Sequence, residues 1–318
     1  MLIRAEMLQP LNLDSSHVAA LCRAAPFRVP LRIAGCTWVV GFDDAKAASV
    51  FRSRYWQLLS KESKGDTDAF ALRGSSHGIV FGSTARGVFG WPHGRLSTRA
   101  FVFLTDAVTI SSFFFTTPHV ISLHAAAVGT SGNVGAIVGD SNAGKTTTAV
   151  ACARRGLQLY TDERCVVLGD DRVMPFPRAV NIRKGGLALL TGESACASDE
   201  LTERLRRRPR GSWENADYRR LLGSWHAPPA GRLRSLFLLA RNGTEPSVES
   251  VPATAAVRGT LQWAQCSASG IERFARLLRL FSNVHCYRLY LGSPDRTARL
   301  IEQTILRDAS AGLREKHW

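Results

Sequence analysis

A glycine-rich segment that follows an apolar run limits what this chain can fold into more than any other feature. The segment GDSNAGKTT occupies positions 139–147, directly after NVGAIV. Its spacing from Gly139 through Gly144 to Lys145 and Thr146 is that of a loop whose backbone amides converge on an anion. In such a loop the lysine reaches the terminal phosphates and the hydroxyl binds Mg²⁺. We therefore predict a strand, a phosphate-binding loop and a helix, in that order.

The residues after the loop favour this interpretation over an incidental glycine-rich turn. Positions 145–155 predict a helix on which Ala149, Val150 and Ala153 form an apolar stripe. Gly156 stands where a helix-ending glycine is expected. A strand, two glycines, a lysine and a hydroxyl would all have to coincide for the pattern to arise by chance.

The predicted nucleotide contacts cover the whole loop. They are Gly139, Asp140, Ser141, Asn142, Ala143, Gly144, Lys145, Thr146 and Thr147. Lys145 is expected to stabilise charge during transfer, and Thr146 is expected to contribute to the Mg²⁺ shell. The predicted cofactors are a nucleotide, ATP, and Mg²⁺.

An acidic pair follows the next predicted strand, within LQLYTDE. Asp162 and Glu163 would then lie at the carboxyl end of a strand, where ligands bind in parallel sheets. One carboxylate could engage the metal while the other accepts a proton from an attacking hydroxyl. We predict Asp162 as the base and both residues as metal ligands, although Glu163 could equally pair with a local arginine such as Arg164.

His124 precedes the loop, at the end of a predicted strand in VISLHAAAV. A histidine flanked by alanine and leucine is usually a satisfied core residue. Together with the loop and the acidic pair it is a catalytic candidate, because a histidine near a carboxylate can orient or tune a base.

The pattern along the chain divides it into residues 1–118 and residues 119–318. The first region predicts a smaller, mainly β part of unknown role, with one helix inside 44–59 and strands at 31–33, 38–40, 79–81 and 101–104. The second region contains the loop and predicts an α/β domain. Its later elements are strands near 233–241 and 285–292 and a helix at 271–281 with Phe274, Leu278 and Phe281 facing inward.

Charge and composition constrain partners and location. The formal net charge of +15 suits polyanions, whether phosphorylated ligands, acidic peptides or nucleic acid. Trp213 and Tyr218 are interleaved with arginines at 204–220, which is compatible with base stacking. A solvated loop is the favoured interpretation, and nucleic acid is not the expected partner. The sequence shows no membrane-length apolar run and no secretion-type start, so we predict a cytoplasmic protein; a homo-oligomer remains open.

The ordered combination of His124, the loop, ARRG and the acidic pair resembles the kinase domain of the HPr kinase/phosphorylase family over about forty residues. It is most similar in character to the relatives that phosphorylate a serine of lasso-peptide precursors. The resemblance implies a fold of the phosphoenolpyruvate-carboxykinase type and Mg²⁺-dependent transfer from a nucleotide to a serine hydroxyl. It also implies Asp162 as the base, assisted by His124, with Lys145 and Thr146 serving the nucleotide and metal.

Two features depart from the full enzymes of that family. Glu163 stands where they carry a second aspartate, and Asn181 in PFPRAVNIRKGG stands where a metal-binding glutamate is expected. Asn181 can ligate a metal only as a neutral group, which argues against the reverse reaction, phosphorolysis. Arg183 and Lys184 could contact a phosphate or carboxylate of the substrate, or could be exposed loop charges.

These observations favour a kinase acting on a serine of a peptide or protein. A small-molecule kinase, for example one for a free amino acid, and a nucleotide-hydrolysing switch associated with nucleic acid are the alternatives.

Overall fold

The computed structural model describes residues 9–11, 15–62, 67–75, 78–83, 87–91, 96–110, 113–114, 117–130, 132–169, 171–183, 186, 213–216, 218–240 and 245–314. It divides the chain into two compact units, Met1–Thr117 and Pro118–Trp318. The protein is a mixed α/β protein in which each unit has its own main sheet. Within the described residues, no helix combines the length and apolar character that crossing a membrane requires.

The first unit is built on a six-stranded sheet in the order β1-β6-β5-β4-β3-β2. Its elements are β1 (Gln9–Leu11), α1 (Ser15–Ala24), β2 (Phe27–Ile33), β3 (Cys36–Phe42), α2 (Ala45–Arg54), β4 (Thr67–Ser75), β5 (Gly78–Ser83), β6 (Gly87–Trp91) and α3 (Thr98–Thr105). Asp44 caps α2 by accepting a hydrogen bond from the amide of Ala47 at 2.9 Å, which confirms the helix predicted within 44–59.

The prediction of a strand at 101–104 is wrong, because these residues lie in α3. Ser97 caps this helix by accepting a hydrogen bond from the amide of Ala100, and Phe101, Val102 and Leu104 are buried. A run of apolar and aromatic residues fits a strand or a buried helix equally well, and the cap decides for the helix here.

The second unit is built on a ten-stranded mixed sheet. The strands of this unit are β7 (Val120–Leu123), β8 (Ala125–Thr130), β9 (Asn133–Val138), β10 (Gln158–Thr161), β11 (Cys165–Leu168), β12 (Arg172–Met174), β13 (Val180–Arg183), β14 (Trp213–Ala216), β15 (Gly231–Ala240), β16 (Ser247–Ser250), β17 (Ala264–Cys266) and β18 (His285–Tyr290). Only β13 and β14 lie outside this sheet; they pair with each other as a short antiparallel ribbon.

Helices cover both faces of the large sheet. They are α4 (Lys145–Arg154), α5 (Tyr218–Leu222), α6 (Ala253–Thr260), α7 (Gly270–Phe281) and α8 (Pro294–Arg314). One apolar core lies between the sheet and α4, α5 and α8, and a second lies between the sheet and α6 and α7. In β8, Ala126 and Val128 enter the first core while Ala125 and Ala127 enter the second, because successive strand residues point to opposite faces. The α/β class predicted for this region is confirmed.

One inward residue of α7 was assigned wrongly. Phe274 is 40% exposed, whereas Leu277 and Phe281 are buried. Leu278 and Leu280 are partly buried and pack against the second core beside Leu277 and Phe281, so the inward face is shifted away from Phe274.

Candidate active site

The predicted phosphate-binding loop lies between the end of β9 and the start of α4. Gly144 adopts φ 105° at the position immediately before the helix, and Asn142 adopts φ 70°. Both are left-handed conformations, which glycine and asparagine tolerate best. A Cβ atom on Gly139 would lie 2.9 Å from the Cβ of Leu239 in β15, so the loop also starts at a close backbone approach. The helix ends at Arg154, and Gly156 just beyond it adopts φ 98°, as predicted for a helix-ending glycine.

Lys145 folds back over the loop that precedes it. Its Nζ donates hydrogen bonds to the carbonyl oxygens of Gly139 at 2.6 Å and Asp140 at 3.0 Å, and the residue is only 7% exposed. Burial lowers the pKa of Lys145, and the charges of Asp140 and Asp162 act in the opposite direction. The lysine is therefore held within electrostatic reach of Asp162.

Strand register brings His124 to the same edge of the sheet. Strands β8 and β9 are antiparallel with Ala125 opposite Val138, so His124 stands next to the end of β9 where the loop begins. The predicted strand over 120–128 is interrupted at this histidine, because β7 pairs with β11 and β17 whereas β8 pairs with β9 and β10. His124 is thus the point at which the chain changes partners within the sheet.

The acidic pair reaches this edge from β10. Strand β10 runs antiparallel to β8 and hence in the same direction as β9, so both strands end at one edge. The amide of Ala125 donates to the carbonyl oxygen of Glu163 at 3.1 Å. Asp162 and Glu163 therefore follow the carboxyl end of a strand, as expected, although the strand between β10 and β9 is antiparallel to both.

Asp162 is 2% exposed and accepts a hydrogen bond from the hydroxyl of Tyr218 at 3.3 Å. Burial first, and the charge of Asp162 second, raise the pKa of Tyr218 well above its ordinary value. The phenol therefore stays protonated and remains a donor. Its ring contacts Trp225 with centroids 4.9 Å apart, and the Trp225 indole donates to the carbonyl oxygen of Leu159 at 3.1 Å.

Glu163 pairs with Arg178 and not with Arg164. The Arg178 guanidinium forms a close ion pair with Oε2 of Glu163, and the amide nitrogen of Asn181 donates to the same oxygen at 3.2 Å. Arg164 instead donates to Oε1 of Gln265 at 2.6 Å. The pairing of Glu163 with an arginine was anticipated, but its partner comes from the segment before β13.

His124 is held as a neutral imidazole. Its ring lies beside that of Trp263, with centroids 5.4 Å apart, and its amide donates to the carbonyl oxygen of Trp263 at 3.0 Å. Burial lowers its pKa to about 3, with further contributions from Lys145, Arg164 and Arg178 in that order. His124 therefore carries no charge near neutral pH and can act only as a neutral hydrogen-bonding group.

The remaining predicted site residues differ in how far the structure describes them. Asp140, Ser141 and Asn142 are exposed, and Ala143, Thr146 and Thr147 are partly buried. Arg183 lies in β13 opposite Trp213, but only its backbone is described. Lys184 lies outside the described residues, as does most of the arginine-rich stretch at 204–220.

Arg178, Tyr218 and Trp263 reach the site without having been assigned to it from the sequence. Arg178 and Trp263 belong to segments without a chemical motif, and Tyr218 was considered only as a stacking residue of the arginine-rich stretch. Only the fold places them next to the acidic pair and His124, so no local pattern could have identified them.

The fold and the site together define an α/β protein with a glycine-containing loop at a helix N-terminus and a buried carboxylate at the same edge of the sheet. No family model matches the chain, and no curated protein matches it significantly in sequence. Among solved structures it is similar to the Hpr(Ser) kinase/phosphatase from Coxiella burnetii, with 10% identity and a TM-score of 0.27 over 61% of this chain and 98% of that chain.

Proposed function

We propose that the unit Pro118–Trp318 is a kinase domain of the phosphoenolpyruvate-carboxykinase type that transfers the γ-phosphoryl group of ATP to a serine hydroxyl of a peptide or protein. The observation that carries the proposal is the convergence of three groups at one sheet edge. The loop before α4, the buried Asp162 and the neutral His124 reach this edge from β9, β10 and the start of β8. A donor site beside a candidate base is the arrangement that phosphoryl transfer needs.

The loop supplies the nucleotide contacts. The free amides at the start of α4 and the left-handed Gly144 favour an anion at this point, and the helix dipole adds to the attraction. Lys145, which now donates to two carbonyl oxygens of the loop, is placed to move its charge to the terminal phosphates. We expect the whole loop, 139–147, to surround the phosphates.

The residues at this edge fit Mg²⁺, which prefers oxygen ligands. Asp162 offers a carboxylate and Thr146 a hydroxyl. Oδ1 of Asn181 is buried and has no hydrogen-bond partner among the described residues, so it remains a candidate neutral ligand. When bound, Mg²⁺ would neutralise charge on the phosphates during transfer.

Asp162 is the proposed base. Its carboxylate is buried and oriented by the Tyr218 hydroxyl, and a positioned carboxylate can accept the proton of an attacking hydroxyl. His124 has a pKa of about 3, so it is a weak base and is assigned a role in orienting the carboxylate or the acceptor.

The proposal of a serine acceptor rests on the ordered resemblance of His124, the loop and the acidic pair to kinases that act on serine. The net charge of +15 suits an acidic peptide or protein as partner. A lasso-type precursor peptide is one such acceptor.

The test supplies γ-labelled ATP and Mg²⁺ to the full chain, with and without serine-containing peptides and proteins, and follows phosphoserine and free phosphate. We expect Asp162→Asn to retain nucleotide binding and to lower transfer by about 10²-fold or more. Lys145→Ala should abolish transfer in a folded protein. Asp171→Asn is the matched control, because Asp171 lies in the β11–β12 hairpin and adopts φ 64°, which asparagine tolerates.

Full transfer by folded Lys145→Ala protein would refute the kinase assignment. Rapid release of free phosphate that responds to nucleic acid, with no labelled hydroxyl acceptor, would replace it with a nucleotide-hydrolysing switch. Labelling of a free amino acid in place of peptides would indicate a small-molecule kinase.

A further inference from the structure

We propose that Glu163 is not a metal ligand and that Glu163 and Arg178 form a clamp that positions Asp162. This inference rests on the proposed function, because it assigns roles within the same site. Arg178 is then a positioning residue. Asp162 contacts the nucleotide and metal, and Glu163 holds Asp162 in place.

The side-chain contacts of Glu163 are already those of a structural anchor. Oε2 receives both the Arg178 guanidinium and the Asn181 amide. The Arg178 side chain is 3% exposed, and that of Glu163 is 27% exposed. A divalent cation on this carboxylate would face a guanidinium at contact distance, where like charges repel strongly because water screens them little.

The backbone of Glu163 fixes the turn that carries Asp162. Its amide donates to Oγ1 of Thr161 at 3.2 Å, and its carbonyl oxygen accepts from the amide of Ala125 at 3.1 Å. The turn is therefore attached to β10 on one side and to the start of β8 on the other. The ion pair adds a third attachment, to the segment before β13, and Asp162 lies between these fixed points.

The ribbon formed by β13 and β14 connects the clamp to the other support of Asp162. Asn181 of β13 stands opposite Asn215 of β14, and Tyr218, which donates to Asp162, follows three residues after Asn215. Val180 stands opposite Ala216, so Arg178, which precedes β13, and Tyr218, which follows β14, leave the ribbon at the same end. Arg178 and Asn181 contact Glu163 from the first strand, and Tyr218 contacts Asp162 after the second. The two adjacent acids are held by one small substructure.

The charge of Arg178 extends into the site beyond its partner. After burial, it is one of the cations that lower the pKa of His124, and it opposes the burial-driven rise in the pKa of Tyr218. Arg178 therefore lies within electrostatic reach of the groups around Asp162, as a residue that positions them would.

The clamp and a metal-ligand role for Glu163 predict opposite results when Arg178 is removed. If Glu163 ligates Mg²⁺, loss of Arg178 frees its carboxylate for the metal. The Mg²⁺ concentration needed for nucleotide binding then stays the same or falls. If Glu163 acts only through Arg178, loss of either partner loosens Asp162 and more Mg²⁺ is needed. Residues that orient a metal ligand typically change metal affinity by about 10-fold or more when they are replaced.

The experiment measures the binding of a fluorescent N-methylanthraniloyl ATP to the full chain as a function of MgCl₂ concentration, so it needs no acceptor. The variants are Glu163→Gln, Arg178→Met, the double variant and Arg178→Lys, which retains the charge. Arg232→Met is the matched control, because Arg232 forms an ion pair with Asp171 at 2.8 Å at the opposite edge of the sheet. Circular dichroism checks that each variant is folded.

We expect Glu163→Gln, Arg178→Met and the double variant to raise the half-saturating MgCl₂ concentration by the same factor, about 10-fold, because they break one unit. Arg178→Lys should fall between wild type and Arg178→Met, and Arg232→Met should match wild type. Arg178→Met could fail to fold because it leaves Glu163 without its ion-pair partner. In that case Glu163→Gln is compared with Arg178→Lys and with the double variant, which leaves no unpaired buried charge.

Additive effects in the double variant, or a lower MgCl₂ requirement in Arg178→Met, would overturn the clamp while leaving the proposed function intact. Absence of any Mg²⁺-dependent nucleotide binding by the wild-type protein would overturn the proposed function, and the clamp with it.

Discussion

Replacement of His124 by glutamine tests whether the fold lowers the pKa of this histidine. The test needs no substrate that accepts a phosphoryl group. The imidazole has its pKa lowered from 6.5 to about 3, first by burial and then by the nearby cations Lys145, Arg164 and Arg178. In the unfolded chain the same group returns to its ordinary value. Between these two pKa values the unfolded state binds a proton that the folded state does not, so stability falls as the pH is lowered.

The size of the effect follows from the difference between the unfolded pKa and the pH. The ordinary value of 6.5 lies about 1.5 units above a pH of about 5, and each unit corresponds to about 1.4 kcal/mol. His124 should therefore remove about 2 kcal/mol from the free energy of unfolding between about pH 7 and about pH 5. The stability it contributes as a neutral group is fully present above pH 6.5 and is lost as the pH falls towards 3.

The assay is urea unfolding of wild type and His124→Gln at both pH values, with limited proteolysis to identify the transition of the unit Pro118–Trp318. Other titrating groups are common to both proteins, so they cancel when the two pH dependences are subtracted. We expect wild type to lose about 2 kcal/mol more than His124→Gln, and proton NMR should show the His124 ring neutral down to about pH 4. Equal losses, or a ring that titrates near 6.5, would refute the reasoning.

Four further substitutions test other parts of the second unit. Gly144→Ala places a side chain at φ 105° and should lower the free energy of unfolding by about 1–2 kcal/mol and weaken ATP binding, both measured by calorimetry. Gly156→Ala, at φ 98°, has a similar strain but should leave ATP binding unchanged. Tyr218→Phe removes the donor to Asp162 and should lower the rate of transfer several-fold at unchanged ATP affinity in steady-state kinetics; an unchanged rate would contradict that orienting role. Asp308→Ala leaves two buried hydroxyls without their acceptor and should cost about 2–4 kcal/mol in chemical denaturation with transfer per folded molecule unchanged; a loss under 1 kcal/mol would contradict it.

The loop and its helix could be predicted from the sequence because neighbouring residues in the chain determine both structures. The spacing of Gly139, Gly144 and Lys145 specifies the loop, and Gly156 specifies the end of the helix whatever the rest of the chain does. The helix at 98–105 was missed because an apolar aromatic run has no clear period, and its cap at Ser97 was not recognised.

The surroundings of the acidic pair could not be predicted, because they depend on pairings between distant segments. Arg178 meets Glu163 only after the chain has passed through β11 and β12, and Tyr218 meets Asp162 only after β13 has paired with β14. No period or motif encodes these distances. The division of roles between 1–118 and 119–318, and the contact of Arg183 and Lys184 with a substrate, stay predictions.

Strand β15 gives the second unit a particular order of assembly. Its first residues pair with the antiparallel β12, and its later residues lie between the parallel strands β9 and β18. It supplies Leu239 against Gly139, yet it is synthesised long after the loop that it supports. A ribosome-bound chain that ends before residue 231 contains the loop, His124 and Asp162 but lacks the strand next to β9. Contacts between segments that are distant in the chain form late and slowly. We therefore expect the loop to bind a nucleotide only after β15 has been synthesised and has paired with β9. A nonsense or frameshift mutation between the acidic pair and β15 would therefore yield an inactive protein, although the loop, His124 and Asp162 are all present in it.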